Sequence, residues 1–138
     1  MIAAAARQLV RQRAGNRCEY CLLQQAHSEL THHLEHIVAK QHGGTDDAEN
    51  LALACHRCNL RKGPNLTGID PLTGDVVKLF HPRRERWNEH FAWRENIRVE
   101  GITAIGRATA HLLAFNDARR LELRKEVFLQ NELSRDTT

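Results

Sequence analysis

Residues 49–63 read ENLALACHRCNLRKG, and the Cys-x-x-Cys pair inside this stretch, Cys55 with Cys58, decides how the rest of the chain is interpreted. A second pair of the same spacing, Cys18 with Cys21, lies upstream, and the chain has no other cysteine. Two such pairs are typical of one tetrahedral zinc site with four thiolate ligands. Because four protein ligands leave no open position, we expect a structural zinc that closes the loop 22–54.

Other chemistry is open to four cysteines. Two disulfides would need an oxidising compartment. A redox Cys-x-x-Cys motif would be expected beside a βαβ pattern, which is not evident here. An iron–sulfur cluster usually spaces its cysteines differently. Structural Zn²⁺ is the interpretation that this pattern favours.

The composition is that of an ordinary globular protein, with 41% hydrophobic and 27% charged residues in a chain of 138. We expect one domain over residues 1–138, with a motif core at 18–63 and a C-terminal extension at 64–138. No stretch approaches the roughly 18 apolar residues of a membrane helix, and the N-terminus does not resemble a secretory signal. The sequence therefore predicts a cytoplasmic protein without a membrane partner. A net charge of +3 permits binding to nucleic acid without requiring it.

Apolar periodicity and turn signals predict the elements of the first half. Residues 3–14 contain good helix formers and should form a helix. The segment ELTHHLEHIVA, residues 29–39, should be extended, and KQHGGTDD should form a loop after it. After the cap candidates Asp46 and Asp47, apolar residues run to Gly63 and predict a helix of about 13 residues.

The second half is expected to add a hairpin and two helices. The sequence DPLTG at 70–74 separates two apolar runs and predicts the turn of a β-hairpin. Helical patterns follow at residues 104–115 and 118–133, with Asn116 or Asp117 as the break between them.

Three stretches together resemble the HNH endonuclease family, whose members are nucleases built on the ββα-metal motif. They are CEYC at 18–21, HLEHIVAKQHGG at 33–44 and ENLALACHRCNLRKG at 49–63. The resemblance implies an α+β fold in which a ββα-metal core is stapled by a structural zinc, with a β-hairpin and C-terminal helices added. It also implies an enzyme, a metal-dependent endonuclease that hydrolyses phosphodiester bonds in DNA.

The resemblance assigns roles to individual residues. His36 would be the general base that activates water. Glu35 and Asn59 would hold a catalytic divalent cation, Mg²⁺ or Mn²⁺, which stabilises charge on the phosphate. Asn50 would fix the imidazole or its loop through a hydrogen bond. His33, two residues before Glu35, is a further candidate ligand or an outer partner of the ligands.

Two features depart from a simple match. Many family members carry Asp at the position of Glu35, and the longer side chain changes the reach of the carboxylate. Adjacent residues on a regular strand also point to opposite faces. Glu35 and His36 could therefore serve one phosphate only if the strand ends, twists or bulges at this point.

The basic residues of the stretch 49–63 leave two functions open. Arg57 and Arg61 are four residues apart on the predicted helix, and with Lys62 they could contact phosphates or simply form a solvated face. The main alternative function is a non-catalytic, zinc-dependent nucleic-acid-binding module. Such a module would need the cysteines and the basic residues but would have no use for Glu35, His36 and Asn59 together. A protein-interaction module is the third possibility.

Overall fold

The computed structural model describes residues 2–136, with side chains for residues 2–131, and this part of the chain contains five α-helices and three antiparallel hairpins. It also contains three short 3-10 helices, at Gln25–His27, Lys40–His42 and Ala48–Asn50. In chain order the elements are α1 (Ala4–Ala14), β1 (His33–His36), β2 (Leu51–Ala54), α2 (His56–Lys62), β3 (Thr67–Ile69), β4 (Val76–Lys78), α3 (Trp87–His90), β5 (Phe91–Arg94), β6 (Arg98–Gly101), α4 (Ala104–Leu112) and α5 (Ala118–Asp136). The predicted α+β class, with a hairpin and C-terminal helices, is confirmed.

The first helix ends as its sequence predicts. Gly15 adopts a left-handed conformation with φ of 62°, and its N–H bonds back to carbonyls of the last turn of α1. On its inner side, Val10 packs against Leu51 and Leu53 of β2. This helix therefore covers one face of the first hairpin.

The first hairpin includes residues that were predicted to be helical. Residues 51–54 form strand β2, which pairs with β1 so that His33 lies opposite Ala54 and His36 opposite Leu51. The expected helix of about 13 residues is therefore wrong, and α2 is only seven residues long. All four residues of β2 are buried. A strand buried on both faces shows a continuous apolar run, which periodicity alone cannot tell from a buried helix.

The C-terminal extension folds as predicted around the larger hydrophobic core. Its first hairpin, β3 with β4, encloses the expected turn at residues 70–74. The two predicted helices are confirmed as α4 and α5. Aromatic side chains, including Phe80, Phe91 and Phe115, pack in one core with the buried cysteines. In the part of the chain that is described, no helix has the length and apolar character needed to cross a membrane.

Candidate functional site

The four cysteines form one buried cluster, as predicted. The Sγ atoms of Cys18, Cys21, Cys55 and Cys58 all lie within 4.8 Å of one another. Those of Cys21 and Cys55 are 3.7 Å apart. Tetrahedral thiolates around one zinc, with a Zn–S bond of about 2.3 Å, are separated by about 3.8 Å. The cluster thus fits a structural Zn²⁺.

Each cysteine pair is shaped by its own backbone. The N–H of Cys21 donates to Cys18 Sγ and the N–H of Cys58 donates to Cys55 Sγ, both at 3.5 Å. Burial raises the pKa of Cys18 and of Cys58, whereas hydrogen bonds from the other three thiols hold the pKa of Cys55 below its ordinary value. The thiolate is the form of cysteine that binds a metal. Cys55 also caps the start of α2, so metal binding fixes the position of that helix.

Glu35 lies inside the protein, between the first cysteine pair and α2. Its side chain accepts a hydrogen bond from Tyr20 Oη at 2.7 Å and lies 2.5 Å from Lys62 Nζ. Burial raises the pKa of Glu35, and the nearby Lys62 and Tyr20 oppose that rise. The carboxylate is therefore already neutralised by a buried ammonium group. The sequence did not suggest either partner, because Lys62 was expected at the surface and Tyr20 was seen only as part of the cysteine motif.

The ion pair with Glu35 buries Lys62 and so separates it from Arg57 and Arg61, which were predicted to contact phosphate together with it. Lys62 is 2% exposed and also donates to the carbonyl of Ile37 at 2.9 Å. Arg61 is exposed, and Arg57 lies 3.6 Å from Asp117 of the C-terminal extension. Of the three residues predicted to contact phosphate, the structure thus leaves Arg57 and Arg61 at the surface.

His36 points away from Glu35. It is the last residue of β1, whose register with β2 is regular throughout. Its Nε2 lies 2.8 Å from Asp46 Oδ1, on the loop that follows the strand. The hydrogen bond with His36 is the main reason that the pKa of Asp46 is held well below its usual range. Asp46 was predicted only as a helix cap, and nothing in its local sequence indicates this contact.

Asn50 holds that loop in place. Its Oδ1 accepts the N–H of Val38 at 2.9 Å, and its Nδ2 donates to the carbonyls of Val38 and Thr45. Gly44 is needed here, because a Cβ at this position would lie 1.7 Å from the carbonyl oxygen of Val38. The described hydrogen bonds of the Asn50 side chain are therefore with the loop that carries Asp46 and not with the imidazole of His36.

Exposed polar side chains lie on the surface between β1 and α2, which we call the cleft. His33, exposed at the start of β1, places Nε2 3.4 Å from Nδ1 of His56, which is exposed in the first turn of α2. Asn59 is on α2, three residues after His56 and three before Lys62. His56 was expected to be an ordinary surface residue. It could have been recognised only if β2 had been identified as a strand, since that places the first turn of α2 beside β1.

Residues 18–65 match the family model described as HNH endonuclease. This segment is an HNH endonuclease domain. It contains both cysteine pairs, β1, β2 and α2, so the buried cluster and the cleft both belong to it. Comparisons with curated proteins and with solved structures gave no match. The presence of this domain indicates a nuclease whose substrate is a nucleic acid.

Proposed function

We propose that the protein is a metal-dependent endonuclease that hydrolyses phosphodiester bonds in DNA. The hydrogen bond between His36 and Asp46, inside the HNH endonuclease domain, carries the proposal. A histidine held by an ionised carboxylate at the end of a strand is arranged as a general base.

The contact with Asp46 determines which nitrogen of His36 acts. An anionic carboxylate favours the tautomer in which Nε2 carries the proton and donates it. Nδ1 then keeps its lone pair, and the described residues give it no hydrogen-bond partner. We propose that Nδ1 takes a proton from the attacking water, while Asp46 stabilises the imidazolium that forms.

The regular geometry of β1 suits this reaction. In-line displacement places the attacking water and the leaving oxygen on opposite sides of the phosphorus atom. His36 points to one face of β1, and His33 and Glu35 point to the other. Within residues 2–136, β1 pairs only with β2, so no strand occupies its second edge, where we place the phosphate. In this proposal the strand needs no bulge at Glu35 and His36.

The cation belongs in the cleft between β1 and α2 in this proposal. Asn59, predicted as a ligand, and His33 would hold it, with His56 beside them. A divalent cation there would stabilise negative charge on the phosphate and the leaving oxygen. Glu35 is the other predicted ligand, and it can bind a cation directly only if it gives up its contact with Lys62. If it keeps that contact, it contributes only its negative charge to the site.

One observation favours the alternative function, a zinc-dependent nucleic-acid-binding module without activity. The carboxylate expected to bind the catalytic cation is buried and paired with Lys62. A module of this kind would use Arg57 and Arg61 and would need no cation in the cleft.

Plasmid cleavage distinguishes the two functions. Zinc-loaded protein should nick or cut supercoiled plasmid in Mg²⁺ or Mn²⁺. His36→Ala should keep its fold, zinc and DNA affinity but cleave about two to four orders of magnitude more slowly, as is typical for loss of a general base. His42→Ala, an exposed histidine in the loop after β1, is the matched control and should cleave normally. Binding without cleavage by the intact protein would support the module instead.

A further inference from the structure

A buried arginine of the C-terminal helix lies against the cysteine cluster. Arg120, in the first turn of α5, is 6% exposed. Its Nη1 donates to Cys58 Sγ at 3.4 Å. Its Nη2 is also buried and has no hydrogen-bond partner among the described residues. Arg120 lies outside residues 18–65, so the family match does not account for it.

A buried guanidinium needs a negative charge close to it, because removing an unpaired charge from water is very costly. Asp117 does not meet this need. Its Oδ1 accepts the backbone N–H of Arg120 at 2.9 Å, while its Oδ2 faces Arg57 Nη1 at 3.6 Å. No carboxylate of the described side chains forms an ion pair with Arg120. The sulfur atoms are therefore the candidate source of the charge.

A cysteine cluster that holds zinc would supply the negative charge that the guanidinium of Arg120 needs. Four thiolates around one divalent zinc leave two negative charges on the centre. Arg124, one turn further along α5, is held elsewhere, because its Nη1 donates to the Ile97 carbonyl and to Asn116 Oδ1. Among the described side chains, Arg120 is thus the arginine whose guanidinium donates directly to a cysteine sulfur.

We propose that Arg120 is the counter-ion of the zinc–thiolate cluster, and that α5 thereby helps the domain to retain its zinc. A hydrogen bond from a charged donor stabilises a metal-bound thiolate. Arg120 is a positioning and charge-balancing residue in this role and takes no part in cleavage.

A second contact sets the position of α5. Asp117 caps the helix through the N–H of Arg120 and also faces Arg57, which lies between Cys55 and Cys58 on α2. The start of α5 is therefore tied to the same turn of α2 that presents two zinc ligands. This arrangement limits how far Arg120 can move from Cys58 without moving the helix.

The rate of zinc transfer to a colorimetric chelator tests the proposal without any measurement of DNA cleavage. Arg120→Met keeps much of the side-chain volume and removes the charge. We expect it to release zinc about 10 to 100 times faster, the range typical of losing an outer partner of a metal ligand. Arg120→Lys, which keeps the charge but loses the planar fork, should recover part of the difference. Arg119→Met, at the exposed neighbouring position, is the matched control and should release zinc at the normal rate.

A folded Arg120→Met variant with normal zinc release and normal zinc affinity would overturn the proposal. Should that variant fail to fold, NMR of the intact protein with ¹¹³Cd in place of zinc decides the question. The guanidinium proton of Arg120 should then exchange slowly with solvent and show coupling to the metal through Cys58. A guanidinium signal in fast exchange, without that coupling, would show that the arginine does not contact the cluster.

Discussion

Lys62 Nζ lies 2.5 Å from Glu35 Oε1, and the two side chains are 2% and 4% exposed. This contact joins the last residue of α2 to the inner face of β1. Tyr20, between the first two cysteines, donates to the second oxygen of the same carboxylate. The first cysteine pair, strand β1 and helix α2 therefore meet at Glu35. Its first role is to hold these elements together, whatever part it takes in binding a cation.

Removing one member of this pair should be much worse than removing both. Lys62→Met leaves a buried carboxylate without its cation and should reduce the free energy of unfolding by about 3–5 kcal/mol. The double variant Glu35→Gln, Lys62→Met should recover much of that loss, because no unpaired charge remains. Urea unfolding of the zinc-loaded proteins measures both effects. Arg61→Met, exposed on the same helix, is the control and should change little. Equal losses in the single and double variants would contradict the ion pair.

The zinc should be required for folding. Cys58→Ser removes one ligand of the buried cluster, and metal binding is coupled to folding in sites of this kind. We expect the variant to bind less than one zinc per chain and to lose its cooperative thermal transition. Metal analysis by mass spectrometry and circular dichroism provide the two measurements. A folded, active wild-type protein that contained no zinc would rule the structural role out.

The two kinds of metal should be separable by a mild chelator. Thiolates hold zinc far more tightly than imidazole, amide and carboxylate groups hold Mg²⁺ or Mn²⁺. Brief treatment with a chelator that is weak for thiolate-bound zinc should abolish plasmid cleavage and leave the circular dichroism spectrum unchanged. Added Mg²⁺ or Mn²⁺ should restore cleavage. Full activity in metal-stripped buffer would argue against any cation in the cleft.

Local sequence was sufficient for the cysteine cluster, the hairpin turn and the C-terminal helices. The paired cysteines have a spacing that few other sites share, and Asp70 to Gly74 form a turn from their own residue types. Strand β2 could not be predicted in this way. Leu51 and Leu53 pack on α1, whereas Ala52 and Ala54 face the larger core, and this double burial depends on elements far away in the chain.

The contacts around the site were hidden from the sequence for the same reason. Glu35 with Lys62 and Cys58 with Arg120 are pairs whose members lie far apart in the chain. No local pattern relates such residues, since their meeting depends on how whole elements pack. Motif resemblance predicts a role for His36, but its partner Asp46 lies in a loop whose shape depends on Asn50 and Gly44.

The ion pair between Asp70 and Arg107 predicts how the stability of the fold depends on pH. Asp70 is fully buried and accepts two hydrogen bonds from Arg107, at 3.0 and 2.9 Å. The contact with Arg107 is the main cause that lowers the pKa of Asp70 to about 2. A carboxyl with a lowered pKa in the folded state stabilises the fold above its unfolded pKa, and this contribution disappears as the pH falls toward about 2.

Asp70→Asn should therefore be less stable than the wild type by a constant amount between pH 7.5 and 5.5. The difference should begin to shrink below about pH 4, where the carboxyl of the unfolded wild-type chain starts to take up protons. Urea midpoints of both proteins at each pH give the comparison and cancel the common effect of acid on zinc binding. Asp75→Asn, at an exposed position, is the control. A difference that grew in acid would contradict the assignment.

The contact between His36 and Asp46 yields the most direct test of the proposed chemistry. An Asn at position 46 can donate its amide hydrogen to Nε2, which would move the imidazole proton to Nδ1 and remove the lone pair that takes the proton from water. It also lacks the negative charge that stabilises the imidazolium. Asp46→Asn should bind DNA normally yet cleave plasmid about 10² to 10⁴ times more slowly. Lys40→Met removes another partner of Asp46 but leaves the carboxylate, so it should cleave almost normally. Normal cleavage by Asp46→Asn, with fold and zinc intact, would mean that His36 does not act through Nδ1.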